Sequence, residues 1–205
     1  MNHKQVKLLR RFYLIFCIFL GIITPFLCWF LYPDFNPTLE PLSYFGIDKR
    51  TWLLWNSALV FLAIGLFLNA YTSLRYYFKQ RRYRYPLKVL LLISSFSLFL
   101  TATIPMDYKV FHKVPACLFF FSYNLFVFLF GLFRALRYLR TGVFSMFIGI
   151  SMLCSLLLVL PFKSYGVFEI VYFTLIFVWN IHFLYNRMKE EGNKSDKKGF
   201  LKFFQ

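Results

Sequence analysis

Six apolar stretches follow one another along the chain, at about Phe12–Leu31, Trp52–Leu74, Leu87–Ile104, Val114–Phe133, Gly142–Leu160 and Val167–Leu184. Crossing a hydrocarbon core of ~30 Å takes about 17–25 helical residues, which each stretch supplies. Within hydrocarbon every backbone N–H and C=O must bond inside the protein, which leaves helices or a closed barrel. A barrel requires alternating polarity, and these runs are continuous. The expected fold is therefore all-α: a bundle of six transmembrane helices forming one domain over residues 1–188. A flexible polar tail is expected over 189–205. The first run follows Lys4, Lys7, Arg10 and Arg11. It is too long for the core of a signal peptide and no small-residue cleavage motif follows it, so it reads as a retained span.

Charge places the loops. Lys and Arg number 24 against 8 acidic residues, a net charge of +16 in a chain that is 60% hydrophobic with 30 phenylalanines. A basic nucleic-acid binder would show a polar surface, and a disordered basic chain would lack the aromatics. Only five of the 24 cations, Lys49, Arg50, Lys109, Lys113 and Lys163, fall on one side of the expected spans. Cytoplasmic loops carry the excess of Lys and Arg, so the other 19 mark the cytoplasmic side and both termini lie there. That side carries the whole surplus and faces anionic lipid headgroups. The opposite face is neutral overall. The basic-aromatic segment Arg75–Tyr85 lies directly between two spans, so it reads as a topology anchor rather than a nucleic-acid site. The expected location is a plasma membrane, that of a bacterial inner membrane. Trp29, Tyr32, Trp52, Trp55, Tyr108 and Tyr165 suit an outer aromatic belt, with Tyr76, Tyr77, Tyr138, Trp179 and Tyr185 at the inner boundary.

Small and polar residues at helical spacing mark expected packing seams. They are Ala58, Gly65, Asn69 and Thr72 on the second span, Ser94, Ser97 and Thr101 on the third, and Ser145 and Gly149 on the fifth. Asn56, Ser57, Ser122 and Asn124 are expected to bond between helices. Cys17, Cys28, Cys117 and Cys154 lie in apolar runs without a C-x-x-C pair and read as small hydrophobes.

The outer face collects Asp34, Glu40, Ser43, Asp48, Asp107, His112 and Glu169. Such residues in a solvated loop pair with one another or with water. A His among carboxylates also suits headgroup recognition, or acid–base work. Zinc at a catalytic site usually takes three protein ligands, and no H-E-x-x-H or G-x-S-x-G motif occurs, so no metal or catalytic set is assigned. His112 and His182 fall about a membrane apart and cannot share a haem iron, and no cofactor is expected. Glu169 opens the sixth span, where a carboxylate must face the bundle, a cation such as Lys163, or the interface. Tyr172 and Asn180 fall within about 60° of it at ~100° per residue, forming a polar stripe.

Two stretches carry a family resemblance. One is Leu42-Ser-Tyr-Phe-Gly-Ile-Asp48 with Trp-Leu-Leu-Trp-Asn56 behind it. The other is Ile104-Pro-Met-Asp-Tyr-Lys-Val-Phe-His112. Together they resemble small six-span bacterial membrane proteins of unknown function, which are distantly similar to the damage-regulated autophagy modulator type. Ser43, Gly46, Asn56, Pro105, Asp107 and His112 are the matching positions. The resemblance implies a six-helix bundle with an outward polar cap and no established reaction. The candidate ligand-binding set is thus Ser43, Asp48, Asn56, Asp107, His112 and Glu169, acting on a lipid or a membrane partner. A small transporter or lipid-translocating protein using Glu169, Tyr172 and Asn180 is the alternative. A membrane-embedded hydrolase built on Asp107 and His112 is the third reading.

Overall fold

A computed structural model describes the backbone of residues 3–162 and 164–202, and the side chains of residues 12–162 and 164–190. Seven α-helices carry the fold: α1 (His3–Leu31), α2 (Trp52–Thr72), α3 (Leu74–Tyr77), α4 (Arg81–Thr103), α5 (Lys109–Ala135), α6 (Leu139–Cys154) and α7 (Gly166–Lys202). Two 3-10 helices, η1 (Leu42–Gly46) and η2 (Ser155–Val159), complete it. No strand occurs among the described residues. Six stretches are long and apolar enough to span a bilayer, as the apolar runs require. The fold class is all-α. Side chains of the expected tail beyond Glu190 lie outside the described residues, although the backbone helix of α7 continues to Lys202.

Two helices begin well before their apolar runs do. α4 starts at Arg81 and α5 at Lys109, each with a polar first turn ahead of its hydrocarbon-length core. Hydropathy marks only the part that meets lipid, whereas backbone hydrogen bonding carries a helix on into the headgroup layer. The sixth span keeps its helix past the apolar run in the same way.

Neighbouring spans pack in chain order, and α7 meets both α6 and α1, so the six close into a ring. Lipid tails are as apolar as leucine, so close packing and interhelical hydrogen bonds hold the ring rather than water exclusion. Glycine permits the closest approach, between α5 and α6. A Cβ on Gly131 would stand 2.6 Å from the backbone nitrogen of Met146. Gly149 lies 3.1 Å by the same measure from the backbone of Phe128. The polar seams pair as expected: Ser94 and Ser122 share a hydrogen bond of 2.8 Å, and Asn124 donates to the carbonyl of Gly149 at 2.8 Å.

Three aromatic expectations change. Trp179 is fully buried rather than interfacial, donates through Nε1 to Ser145 at 3.1 Å, and packs against Phe126, Phe130 and Phe183. Trp55 and Tyr77 are buried as well. An indole or phenol with an internal hydrogen-bond partner, as Trp179 and Tyr77 have, no longer needs the headgroup layer, and Trp55 is instead covered by Phe45 of the loop. Arg134 and Arg187, counted as loop cations, are also buried. Arg134 pairs with Glu190 and lies over the ring of Tyr138, and Arg187 donates to Ser73 at 2.8 Å.

Candidate functional site

One end of the bundle is covered by the long connection between α1 and α2, and its proline-rich path explains its shape. Pro33, Pro37 and Pro41 cannot continue a helix and lead into η1. Phe45 of η1 is fully buried, with ring centroids 4.4 Å from Phe35 and 5.4 Å from Trp55, which seats the loop on the bundle. Thr51 donates to the carbonyl of Phe45 at 2.8 Å, and Asn56 to that of Gly46 at 3.0 Å. Gly46 lets the Asn56 amide approach closely, since a Cβ there would stand 2.8 Å from the Asn56 side-chain oxygen and push that side chain aside.

Polar contacts tie the rim. Arg50 donates to both carboxylate oxygens of Asp48, at 3.1 and 3.2 Å, and its guanidinium lies 4.4 Å from the Tyr32 ring centroid. Arg50's hydrogen bonds hold the Asp48 carboxyl below the usual carboxylate range. Tyr32 donates to Glu40 at 3.1 Å. Its phenol is pushed up, first by desolvation and then by that carboxylate.

Beneath the loop, Glu169 in the first turn of α7 reaches upward. Its Oε2 accepts the backbone N–H of Leu42 at 2.5 Å, and the backbone of Ser43 also donates to the carboxylate. These are free N–H groups at the start of η1, where an anion is stabilised both by hydrogen bonding and by the local dipole. Pro41 precedes them and η1 has no side-chain cap of its own. A residue 127 positions along the chain therefore serves as the cap.

Glu169, Ser43 and His112 line one cavity of about 30 Å³ with Thr101, above a floor of Leu98, Phe119 and Phe173. His112 is only 6% exposed. Its Nδ1 lies 2.7 Å from the carbonyl oxygen of Ile104, which ends α4. A carbonyl only accepts, so Nδ1 carries the proton, and in the neutral ring Nε2 is a bare lone pair. Nε2 is buried and has no hydrogen-bond partner among the described residues. Among the described residues the Ser43 hydroxyl has only the thioether of Met106, at 3.5 Å. A water needs roughly 10–15 Å³, so the space suits about two waters or one small donor group.

Of the six residues proposed from sequence, Ser43, His112 and Glu169 converge on this cavity. Asp48 and Asn56 instead fix the loop that roofs it, and Asp107 is exposed in the turn before α5. Glu169 faces the bundle and η1; the pairing suggested with Lys163 lies outside the described residues. Tyr172 and Asn180 spend their polar groups across the helix interface, on the carbonyl of Phe120 and on Tyr123. No group of three His, Cys, Asp or Glu able to hold a metal occurs among the described residues. Sequence reasoning missed Thr51, whose bond to a loop carbonyl has no local signature, and took Thr101 only as a packing residue.

Six helices long and apolar enough to cross a bilayer make this an integral membrane protein. The chain belongs to the family described as Protein of unknown function (DUF998), which it matches over residues 15–184. The match covers all six apolar runs almost completely, and the roofing loop with them. No curated protein and no solved structure matches the chain.

Proposed function

We propose that this protein binds a membrane lipid through an outward-facing polar cap, taking up hydrogen-bond donors of the headgroup between His112 and Glu169. The observation that carries this reading is the buried Nε2 of His112, unpartnered in a cavity shared with a carboxylate and the Ser43 hydroxyl. A buried acceptor without a partner costs about 1–3 kcal/mol, so a ligand that satisfies it gains correspondingly. Both main groups facing the space accept hydrogen bonds. The matching headgroup is a primary ammonium, which has three N–H donors, rather than a phosphate or a quaternary amine. The excess of Lys and Arg at the opposite end supports placing the cap outside and both termini in the cytoplasm. The reading extends to a bacterial inner membrane and to distant kinship with the damage-regulated autophagy modulator type, on the strength of the loop motifs quoted above.

Native mass spectrometry of the full chain, released from bilayers with equal amounts of phosphatidylethanolamine and phosphatidylcholine, tests the reading. Ethanolamine lipid should be retained preferentially. His112→Asn keeps a donor for the Ile104 carbonyl but lacks Nε2, and should erase the preference. Equal retention of both lipids by the unaltered protein would overturn the proposal.

A second reading is favoured by one further observation. A deeper cavity of about 70 Å³ shares Leu98, Phe119 and Phe173 with the cap cavity as common walls. Two spaces stacked through one apolar partition suit a protein that moves lipid rather than only holding it. In reconstituted vesicles, Phe119→Ala should then speed transbilayer movement of a fluorescent lipid. No movement above protein-free vesicles would remove this reading.

A further inference from the structure

The deeper cavity is chemically unlike the cap. It is a half-open crevice bounded by α1, α2, α4, α5 and α7, and every residue lining it belongs to a membrane span, so it opens toward hydrocarbon rather than water. No charged side chain or histidine lines it among the described residues. Its walls are leucine, isoleucine and phenylalanine, and its polar groups are few. They converge from three helices.

Asn69 of α2 is 5% exposed, and its Oδ1 is buried with no hydrogen-bond partner among the described residues. Tyr123 of α5 is 1% exposed; its hydroxyl oxygen accepts from Asn180 Nδ2 at 2.8 Å. The second bond of that amide runs to the carbonyl of Ile176 at 2.8 Å. The Asn180 NH2 is therefore spent, while its Oδ1 takes no hydrogen bond and the hydroxyl proton of Tyr123 has no acceptor among the described residues. The crevice thus offers a buried unmet acceptor, Asn69 Oδ1, and an unmet donor, the Tyr123 hydroxyl, in a neutral, apolar setting. In hydrocarbon no water is present to relieve either, so each remains a standing cost.

We infer that the crevice is a binding site for a neutral lipid bearing a hydroxyl group, the hydroxyl bridging Asn69 and Tyr123 and the chain lying along α1 and α7. A hydroxyl donates one hydrogen bond and accepts others, which matches the pair. A carboxylate or phosphate would lack a cation, and an ammonium would lack an anion, so charged amphiphiles are rejected by desolvation. A plain hydrocarbon fits the walls but leaves both polar groups unmet. The site is separate from the cap and does not depend on the cap's ligand.

The experiment uses the full chain in phosphatidylcholine nanodiscs and a long-chain alcohol carrying a diazirine in its tail. The carboxylic acid and the hydrocarbon of equal length, with the same diazirine, serve as comparisons. Irradiation should label α1 and α7 around Leu14, Phe177 and Leu184 with the alcohol, in competition with unlabelled alcohol. Asn69→Leu removes an unpartnered acceptor, so it should fold with an unchanged or higher thermal midpoint while labelling falls about ten-fold, the effect of one buried hydrogen bond. Tyr123→Phe removes the donor together with the oxygen that accepts from Asn180 and should lower labelling comparably, which covers the case of an Asn69 variant that does not fold. His112→Asn should leave labelling unchanged. Equal labelling by the hydrocarbon, stronger labelling by the acid, or labelling insensitive to both substitutions would overturn the inference.

Discussion

Glu169 is where a single side chain does most to shape the cap. Its carboxylate satisfies N–H groups at the start of η1 that Pro41 and the loop cannot supply with partners. Glu169→Leu orphans them at about 1–3 kcal/mol each, whereas Glu169→Gln keeps an acceptor oxygen and loses less. Thermal melts in mild detergent should rank unaltered, Gln and Leu in descending order. A Leu variant as stable as the original would show that the carboxylate does not hold the loop. The rim pair behaves differently. Asp48 titrates below its ordinary range because Arg50 bonds it, so its contribution is present at neutral pH and lost as pH falls through that lowered pKa. Solvent screens that exposed pair, so Arg50→Ala should leave the melt nearly unchanged. Sequence placed Ser43, His112 and Glu169 at one end of the spans, but that they share a cavity depends on how the loop folds back onto α5 and α7 and was not legible. That Asp107 stays outside the cavity was not legible, since it sits only five residues before His112. A turn separates them, and the sense of a turn is not written in residue type.

At the scale of helices, glycine positions decide which pairs touch. Gly131→Ala would bring a Cβ within 2.6 Å of the Met146 nitrogen, forcing α5 and α6 apart at about 1–3 kcal/mol. Gly149→Ala meets backbone at 3.1 Å and should cost distinctly less. Equal losses in parallel melts would mean that the Gly131 approach does not set the helix spacing. The start of α7 makes a sharper case. A Cβ on Gly166 would stand 2.2 Å from the carbonyl oxygen of Glu40 and 2.5 Å from that of Pro37. Both are backbone, so neither can swing aside. Gly166→Ala should lift the roofing loop, and limited proteolysis should then cut between Pro33 and Pro41 several-fold faster; unchanged cutting would place the loop's anchorage elsewhere. The Ser145 and Gly149 seam could be read from spacing alone, because small residues four apart share a helix face. Neither η1 nor α3 could be read this way. Both are too short for periodicity, and η1 is completed by a carboxylate from the far end of the chain.

The whole molecule joins two kinds of information that a linear reading separates. Hydropathy is summed along each helix and survives without knowledge of neighbours, which is why six spans and their order could be read directly. Burial depends on which helix faces which, and here the sequence misleads in a specific way. Trp179, Arg134 and Arg187 have the composition of interfacial residues yet lie inside, because the ring of helices supplies each with a partner. Removing two buried arginines from the count of loop cations still leaves the basic end far ahead of the cap, so the orientation argument does not rest on them. That orientation carries the last prediction. Gln80 precedes α4 at one end of the bundle, and Asp107 follows α4 at the other. Alkaline phosphatase, active only outside the cytoplasm, should be active when fused after Asp107 and silent after Gln80, with green fluorescent protein giving the reverse. Activity at Gln80 and silence at Asp107 would invert the molecule and turn the acceptor-lined cavity toward the cytoplasm, where the cap could no longer meet outer-leaflet lipid. The same signal at both positions would mean that α4 does not cross the membrane, and the ring that forms both cavities would fail with it.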